Sequence, residues 1–465
     1  MKKITVFEGD GIGPEVVQAA CKILKATKAP LAFDYQVAGK KAFEEGFKTG
    51  VTDAALESIY QNKTVLKGPL ETPVGHGDRS ANVTLRKLCQ TYANIRPAKH
   101  FPHISSHFQD VPVDLIVIRE NLEDLYAGIE HQQTPSVAQS LKVMTSLGCE
   151  RICRFAFEYA LSLNRKKVTC VTKANIMKLT EGMLKSVFER CAKDYPQLEA
   201  DHMIVDNCAH QLVISPDQFD MIVTSNLNGD ILSDLTSGLV GGLGIAASAN
   251  IGSKYSIFEA VHGSAPDIAG QNSANPMALI FASMMMLHHL EFVNEAKMIE
   301  TALISVLKED LFTKDLAPNK ETAVSTSVFA DAIIAAMVPV TDFVPHHTKF
   351  EVPSNPLPLS SFADQYSKLK AVDIFISSKQ ALETVVSKLA SCLEGTPFSL
   401  QAVWNRGTLV YPDLIETSDY VDQWQCQFSR QNGDPLTTTD IRVVLDKIEK
   451  SFEWMHIEKV FDTDD

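Results

Sequence analysis

The chain has 465 residues, of which 45% are hydrophobic and 22% charged, a composition that belongs to a folded globular protein and excludes disorder and collagen-like repeats. Its 57 acidic side chains against 43 basic ones give a formal charge of −14, so the surface as a whole repels nucleic-acid phosphates and anionic membranes. At this length about two to three domains and a large buried core are expected. Nine scattered cysteines without a CxxC pair point to reduced thiols and a cytoplasmic protein. The opening MKKITVFEGDGIG reaches glycine and acid too soon for a secretory signal. The longest apolar stretch, around 277–287, is about half a membrane span and predicts a core helix.

Residues 2–7 predict a short strand, followed by the turn Gly9-Asp10-Gly11-Ile12-Gly13 and a helix opened by Pro14 and running to about Ala26. The turn's GxGxG spacing is not the dinucleotide fingerprint, and it is read as a tight turn needing positive φ. Buried strands are expected at 65–67, 114–118, 167–172 and 219–225, with helices at 146–163, 176–194 and across SDLTSGLV. That alternation predicts an α/β sheet packed by helices. The proline-rich stretch from Pro345 to Pro358 reads as a linker. Beyond it a strand (372–376), a helix (379–393), a hairpin through Asn405-Arg406-Gly407, a strand (420–428) and a last helix (about 438–455) suit a small α+β ferredoxin-like sandwich. Trp404, Trp424 and Trp454 are read as core or interface aromatics.

Four segments carry chemistry. In Ser80-Ala81-Asn82-Val83-Thr84-Leu85-Arg86, Ser80 is placed to cap a helix and leave its first amides for an anion. Arg86, Arg96 and Arg119 are three guanidiniums in an acidic protein. Arginine binds carboxylates in a bidentate fork, so three of them suit a di- or tricarboxylate; the alternative is scattered surface ion pairs. Asp230 and Asp234, four apart, share a helix face, where two like charges are unfavourable unless a cation sits between them. Carboxylate oxygens select Mg²⁺ or Mn²⁺, and Asp206 is a candidate third ligand; the alternative is two solvated acids. Lys173 ends an apolar strand, where α/β sheets place ligands and where desolvation would lower its pKa toward that of a base. Tyr126 is a possible proton donor.

The motifs GDGIGPE, KGPLETPVG, RSANVTLR, NLNGDILSD and HGSAPDIAGQNSANP resemble those of the isocitrate/isopropylmalate β-decarboxylating dehydrogenases over about residues 1–340, most closely the isocitrate enzymes. The tail resembles the extra C-terminal domain of a bacterial isocitrate dehydrogenase subgroup. The resemblance implies a two-lobed α/β fold with a non-Rossmann nucleotide site (large lobe about 1–95 and 250–340, small lobe about 96–249). A linker (341–360) and a C-terminal domain (361–465) follow. It also implies a homodimer with shared active sites, with larger assembly through the C-terminal domain as a further possibility.

Thr72, Ser80, Asn82, Arg86, Arg96 and Arg119 then match isocitrate-binding positions. Tyr126 and Lys173 match the catalytic acid/base pair, with the lysine reaching the partner's site. Asp206, Asp230 and Asp234 match the metal ligands, Asp206 also crossing over. The cofactor positions are Asn175, Glu259, His262, Gly263, Ala265, Asp267, Ile268 and Asn275. A carboxylate at Asp267, where the family's NADP enzymes usually hold lysine, and Ser215 at a position often basic, lead to NAD as the expected cofactor, because Asp267 would repel a 2′-phosphate of charge about −1.5 to −2. The implied function is oxidative decarboxylation of isocitrate to 2-oxoglutarate. A non-catalytic regulatory subunit and a homoisocitrate or isopropylmalate dehydrogenase are the alternatives, the first weakened by the complete catalytic set and the second by Ser80 and Asn82.

Overall fold

The computed structural model describes residues 1–72, 80–106, 108, 110–341, 343, 368–412 and 419–461, and the predicted linker around 345–358 lies outside them. Twelve strands precede the linker: β1 (Lys2–Phe7), β2 (Leu31–Gln36), β3 (Thr64–Lys67), β4 (Ala93–Lys99), β5 (Asp114–Glu120), β6 (Glu130–Thr134), β7 (Val137–Ser140), β8 (Lys167–Thr172), β9 (Glu199–Ile204), β10 (Met221–Thr224), β11 (Ala247–Ile251) and β12 (Ser256–Ala260). Ten of them form one sheet in the order β2-β1-β3-β12-β11-β4-β5-β10-β8-β9. Two parallel runs, β2-β1-β3-β12 and β5-β10-β8-β9, meet through the antiparallel neighbours β11 and β4. Strands such as TVLK and MIVT are buried along their whole length, as expected for parallel strands covered by helices on both faces.

The predicted helices appear as Gly13–Ala26, Ser146–Ser162, Thr180–Ala192 and Asn226–Val240, and the apolar run forms Met277–His289, buried in the core. The third begins four residues later than the periodicity suggested. β2, β4, β11 and β12 had no clear strand signature, because polar and charged residues such as Asn94, Arg96 and Glu259 interrupt them. Tertiary burial of those polar groups overrides local propensity.

Gly9 and Gly11 take φ of +77° and +58°, as the turn reading required. A Cβ at Gly11 would stand 2.0 Å from the Ser264 carbonyl oxygen, and the Ile12 amide donates to that same oxygen at 2.8 Å. The glycine turn therefore seats the 262–268 loop.

The chain divides into two compact units. One holds Met1–Ala127 and the chain from Lys142 to the linker; the other joins Gly128–Leu141 to the C-terminal region. In the second, β13 (Leu369–Ser377), β14 (Phe398–Asn405), β15 (Thr408–Tyr411), β16 (Gln423–Arg430) and β17 (Glu453–Phe461) form an antiparallel sheet in the order β15-β14-β16-β13-β17. Helices Leu382–Cys392 and Thr438–Ile448 supply Leu382, Val385, Leu389, Ile441, Val444 and Ile448 to its core. The last helix was expected to reach about 455. It ends at Ile448, and Glu453–Phe461 is instead the edge strand, whose polar residues face solvent and hide the alternation. Trp424 is buried, whereas Trp454 on that edge is 40% exposed. The β6–β7 hairpin is bound to this domain: Thr134 donates to Asp422 at 2.6 Å, Ser136 also donates to Asp422, and Gln133 meets His456 at 2.9 Å.

All nine cysteines are free, in agreement with the reduced state expected. Among the described residues no helix is long and apolar enough to cross a membrane.

Candidate active site

Three guanidiniums converge beside β4 and β5, the neighbouring strands at the middle of the sheet. Arg96 on β4 and Arg119 on β5 are buried, and Arg86 projects from helix Ala81–Leu88. Arg119 is held by Asn226 Oδ1 at 2.8 and 3.0 Å and pairs with Asp230. Gly229 makes this approach possible, since a Cβ there would lie 2.6 Å from Arg119 Cγ. Arg96 donates to Ser233 Oγ at 2.6 Å and to Asn94 Oδ1 at 2.9 Å. Arg86 donates to Glu259 Oε1 at 3.2 Å. A relay joins the two arginines: Asn94 donates to Asn250 Oδ1, and Asn250 donates to Glu259 Oε1, both at 2.7 Å.

Glu259, expected at the cofactor, is the buried anion at the end of this relay, and Lys67 stands 2.8 Å from its other oxygen. Burial alone would raise its pKa, but Lys67 and Arg86 hold it well below the ordinary carboxylate range. Lys67, Asn94 and Asn250 escaped the sequence reading. A lysine at the end of a buried strand and an asparagine two residues before Arg96, on the same strand face, were the available signals.

Asp230 and Asp234 do share one face of their helix. The cation between them within the chain is Arg96, 3.3 Å from Asp230 and 3.4 Å from Asp234, so like-charge crowding by itself does not demand a metal. Burial pushes Asp230 up, but Arg119 and Arg96 win and keep it below its ordinary value. Asp234 is pushed up by burial and by Asp230. Tyr126 donates to Asp230 Oδ2 at 2.5 Å, with the Arg119 guanidinium 4.9 Å from its ring centroid. Burial raises the phenol's pKa.

Lys173 lies elsewhere, 2.6 Å from Asp206, whose side chain is 68% exposed. The desolvation expected of Lys173 is not achieved within one chain: it stands at an open strand end with its side chain 30% exposed. Among the described residues no group of three histidine, cysteine or acidic side chains converges on a metal position, so Asp206 does not join Asp230 and Asp234 in a single chain.

Ser80 occupies the N-cap position of helix Ala81–Leu88, but its hydroxyl makes no capping bond and pairs with Thr72 at 2.9 Å. Asn82 donates to the Leu70 carbonyl at 3.3 Å. Asp10 fixes the Thr72 segment by accepting the Glu71 amide at 2.8 Å. In the 262–268 loop, Ala265 has φ +40°, Gly263 and Asp267 are exposed, and Ile268 is 37% exposed. His262 Nδ1 donates to the Gly263 carbonyl at 3.0 Å, and burial holds the ring below its ordinary pKa, so neutral Nε2 is left as an acceptor. Asn275 is fixed by Asp315 at 2.9 Å, and Asn175 is exposed near Lys173. Three buried polar atoms here have no hydrogen-bond partner: Asn82 Oδ1, Arg86 Nε and His262 Nε2. Buried polar groups are rarely left unpaired, so these three atoms are candidate contact points for a ligand or an ordered water. A separate apolar cavity of about 840 Å³, bordered by Ile95, Phe101, Tyr159 and Phe281, contains none of these residues.

The chain is similar to known proteins along nearly its whole length. Residues 3–333 match the family model described as isocitrate/isopropylmalate dehydrogenase, and 367–465 match that of the bacterial isocitrate dehydrogenase C-terminal domain. The chain is 47% identical to isocitrate dehydrogenase [NADP] of Thermus thermophilus, covering 100% of this chain and 94% of the relative. It is 37% identical to isocitrate dehydrogenase [NADP] of Rickettsia bellii, over 99% and 96%. A crystal structure of a Thermus thermophilus protein superposes with a TM-score of 0.91 at 47% identity, over 99% of this chain and 94% of that one.

These relatives overturn the expectation of NAD drawn from Asp267. The physical reason lies in its position: an exposed carboxylate on a loop rim stands in high dielectric and is screened by salt, which weakens the repulsion on which the expectation of NAD rested. The two domain matches together span nearly the whole chain, so the chain belongs to the isocitrate/isopropylmalate dehydrogenase family and carries the bacterial isocitrate dehydrogenase C-terminal domain.

Proposed function

We propose that the protein is an NADP-dependent isocitrate dehydrogenase that converts isocitrate to 2-oxoglutarate and CO₂ as a homodimer with shared active sites. The observation that carries this reading is the cradle of Arg86, Arg96 and Arg119, with Asn82 Oδ1 and Arg86 Nε buried and unpaired beside it. Such a cradle suits a small polycarboxylate, because each guanidinium offers a planar fork of donors to a carboxylate.

The donor set fits a hard divalent cation. Asp230 and Asp234 present carboxylate oxygens on one helix face, with side chains 37% and 53% exposed, and Asp206 of a second copy would complete the set. Bound there, Mg²⁺ or Mn²⁺ would supply Lewis-acid stabilisation of the oxygen at C2 of the substrate. The 262–268 loop, Asn275 and Asn175 would hold NADP, which would supply the hydride acceptor.

The chain's own residues do the remaining work. Arg86, Arg96 and Arg119 orient the substrate carboxylates, with the paired hydroxyls of Ser80 and Thr72 as further donors. Lys173, which meets Asp206 at 2.6 Å within its own chain, first gives up its own proton and then, as the neutral amine, helps remove the C2 hydroxyl proton in the site of the second copy. Tyr126 stays protonated and delivers a proton to C3 after CO₂ leaves. Turnover of the purified chain with isocitrate, homoisocitrate and 3-isopropylmalate, each with Mg²⁺ and either nucleotide, tests the proposal. Isocitrate with NADP should give the highest kcat/KM. Absence of turnover with all three would overturn it.

A further inference from the structure

The most deeply buried ion cluster apart from the arginine cradle is Lys142 with Asp124 and Glu181. Both carboxylate side chains are fully buried and that of Lys142 is 12% exposed. Lys142 Nζ lies 2.5 Å from Asp124 Oδ1 and 2.8 Å from Glu181 Oε1. One ammonium thus serves two buried acids, and the remaining lone pairs are met by donors. Leu125 N at 2.7 Å and Leu227 N at 2.9 Å donate to Asp124. Ser225 Oγ at 2.8 Å, Lys173 N at 2.9 Å and Asn228 Nδ2 at 3.3 Å donate to Glu181.

Each donor belongs to an element that carries the chemistry. Leu125 opens the short 3₁₀ turn Leu125–Ala127 that holds Tyr126. Ser225, Leu227 and Asn228 belong to the first turn of the helix bearing Asp230 and Asp234. The Lys173 amide is the base's own backbone. Asp124 itself sits at φ +66°, a left-handed conformation that must be held from outside, and its amide donates to the Val143 carbonyl next to Lys142 at 2.7 Å.

We propose that Lys142 is a positioning residue that sets Tyr126 through Asp124 and Lys173 through Glu181, so that one ammonium orients both the proton donor of its own site and the base lent to the second copy. This rests on the shared-site reading given above. Without the ammonium, two buried carboxylates repel one another and both arms shift. Displacements near 1 Å are enough to cost about 10²-fold in rate.

Mixed dimers test it. Tyr126→Phe and Lys173→Met chains should each retain about 1% of activity or less in their own dimers, but unfolding and refolding them together should rebuild one complete site in half of the dimers and return about a quarter of wild-type activity. Placing Lys142→Met on the Tyr126→Phe chain probes Lys173, and placing it on the Lys173→Met chain probes Tyr126. The recovered activity should fall at least about tenfold in both arrangements. Lys142→Arg should restore most of it. A fall in one arrangement only, or in neither, overturns the dual role.

If the parent mixture itself recovers nothing, the shared-site reading fails, and the single variants then decide the role of Lys142. Lys142→Met must lower kcat at least about tenfold with the isocitrate KM changed less than about threefold, and Lys142→Arg must recover it. Unchanged kcat overturns it. Should Lys142→Met not fold, Glu181→Gln and Asp124→Asn, which keep size and an acceptor, replace it: the first probes the Lys173 arm and the second the Tyr126 arm, each must lower kcat at least about tenfold, and unchanged kcat in either overturns the dual role.

Discussion

The Tyr126 hydroxyl donates to Asp230 across 2.5 Å, so the phenol that would protonate the product is tied, at rest, to an acid that would hold the cation. Burial and that carboxylate both keep the phenol protonated, against the pull of Arg119. Removing the hydroxyl removes a proton donor but leaves Arg86, Arg96 and Arg119 in place. Tyr126→Phe should lower kcat about 10²–10⁴-fold with little change in isocitrate affinity, which steady-state kinetics and calorimetric titration would show. Near-normal turnover would refute the role.

Glu259 and Lys67 form a buried pair whose loss would strand an ammonium. Glu259→Gln should lower stability by about 3–5 kcal/mol at pH 7 and raise the isocitrate KM, because Arg86 loses its anchor. The pH dependence has a definite sign. The native carboxyl titrates below its ordinary value, so its contribution is complete above about pH 4.5 and is lost as pH falls through the depressed value. Urea unfolding of both proteins should therefore show a constant gap from pH 5 to 8 that narrows only in stronger acid. A gap that shrinks near neutrality would contradict the pairing.

Asp267 is exposed, so its charge should matter little to cofactor choice. Asp267→Asn should raise kcat/KM for NADP less than about fivefold, in line with screened surface charges, and should leave unchanged which of the two nucleotides is used better. Kinetics with both nucleotides at low and high salt checks this. A hundredfold gain would show that the carboxylate is a true gate.

Asp422 accepts hydrogen bonds from Thr134 and Ser136 and thereby holds the β6–β7 hairpin to the C-terminal domain. Asp422→Ala should cost about 1–3 kcal/mol and deprotect the amides of residues 130–140 selectively. Hydrogen exchange read by mass spectrometry would detect it, and unchanged protection of that segment would show that the hairpin is held otherwise.

Local chemistry made much of the molecule legible. The periods of Gly13–Ala26, Ser146–Ser162 and Asn226–Val240, the positive φ at Gly9 and Gly11, and the four-residue spacing of Asp230 and Asp234 are short-range properties, and each follows from neighbours along the chain. The arginines, the tyrosine and the acids each have an ordinary structural use, and it was the long motifs around them that allowed them to be nominated. Tertiary structure alone decided the rest. It placed Arg96 between the two helix acids, turned Glu259 into the anchor of Arg86, and gathered Asp124, Lys142 and Glu181 around one ammonium. These are contacts between residues from 18 to 173 positions apart, and where a charge is buried its meaning depends on partners that no local pattern specifies.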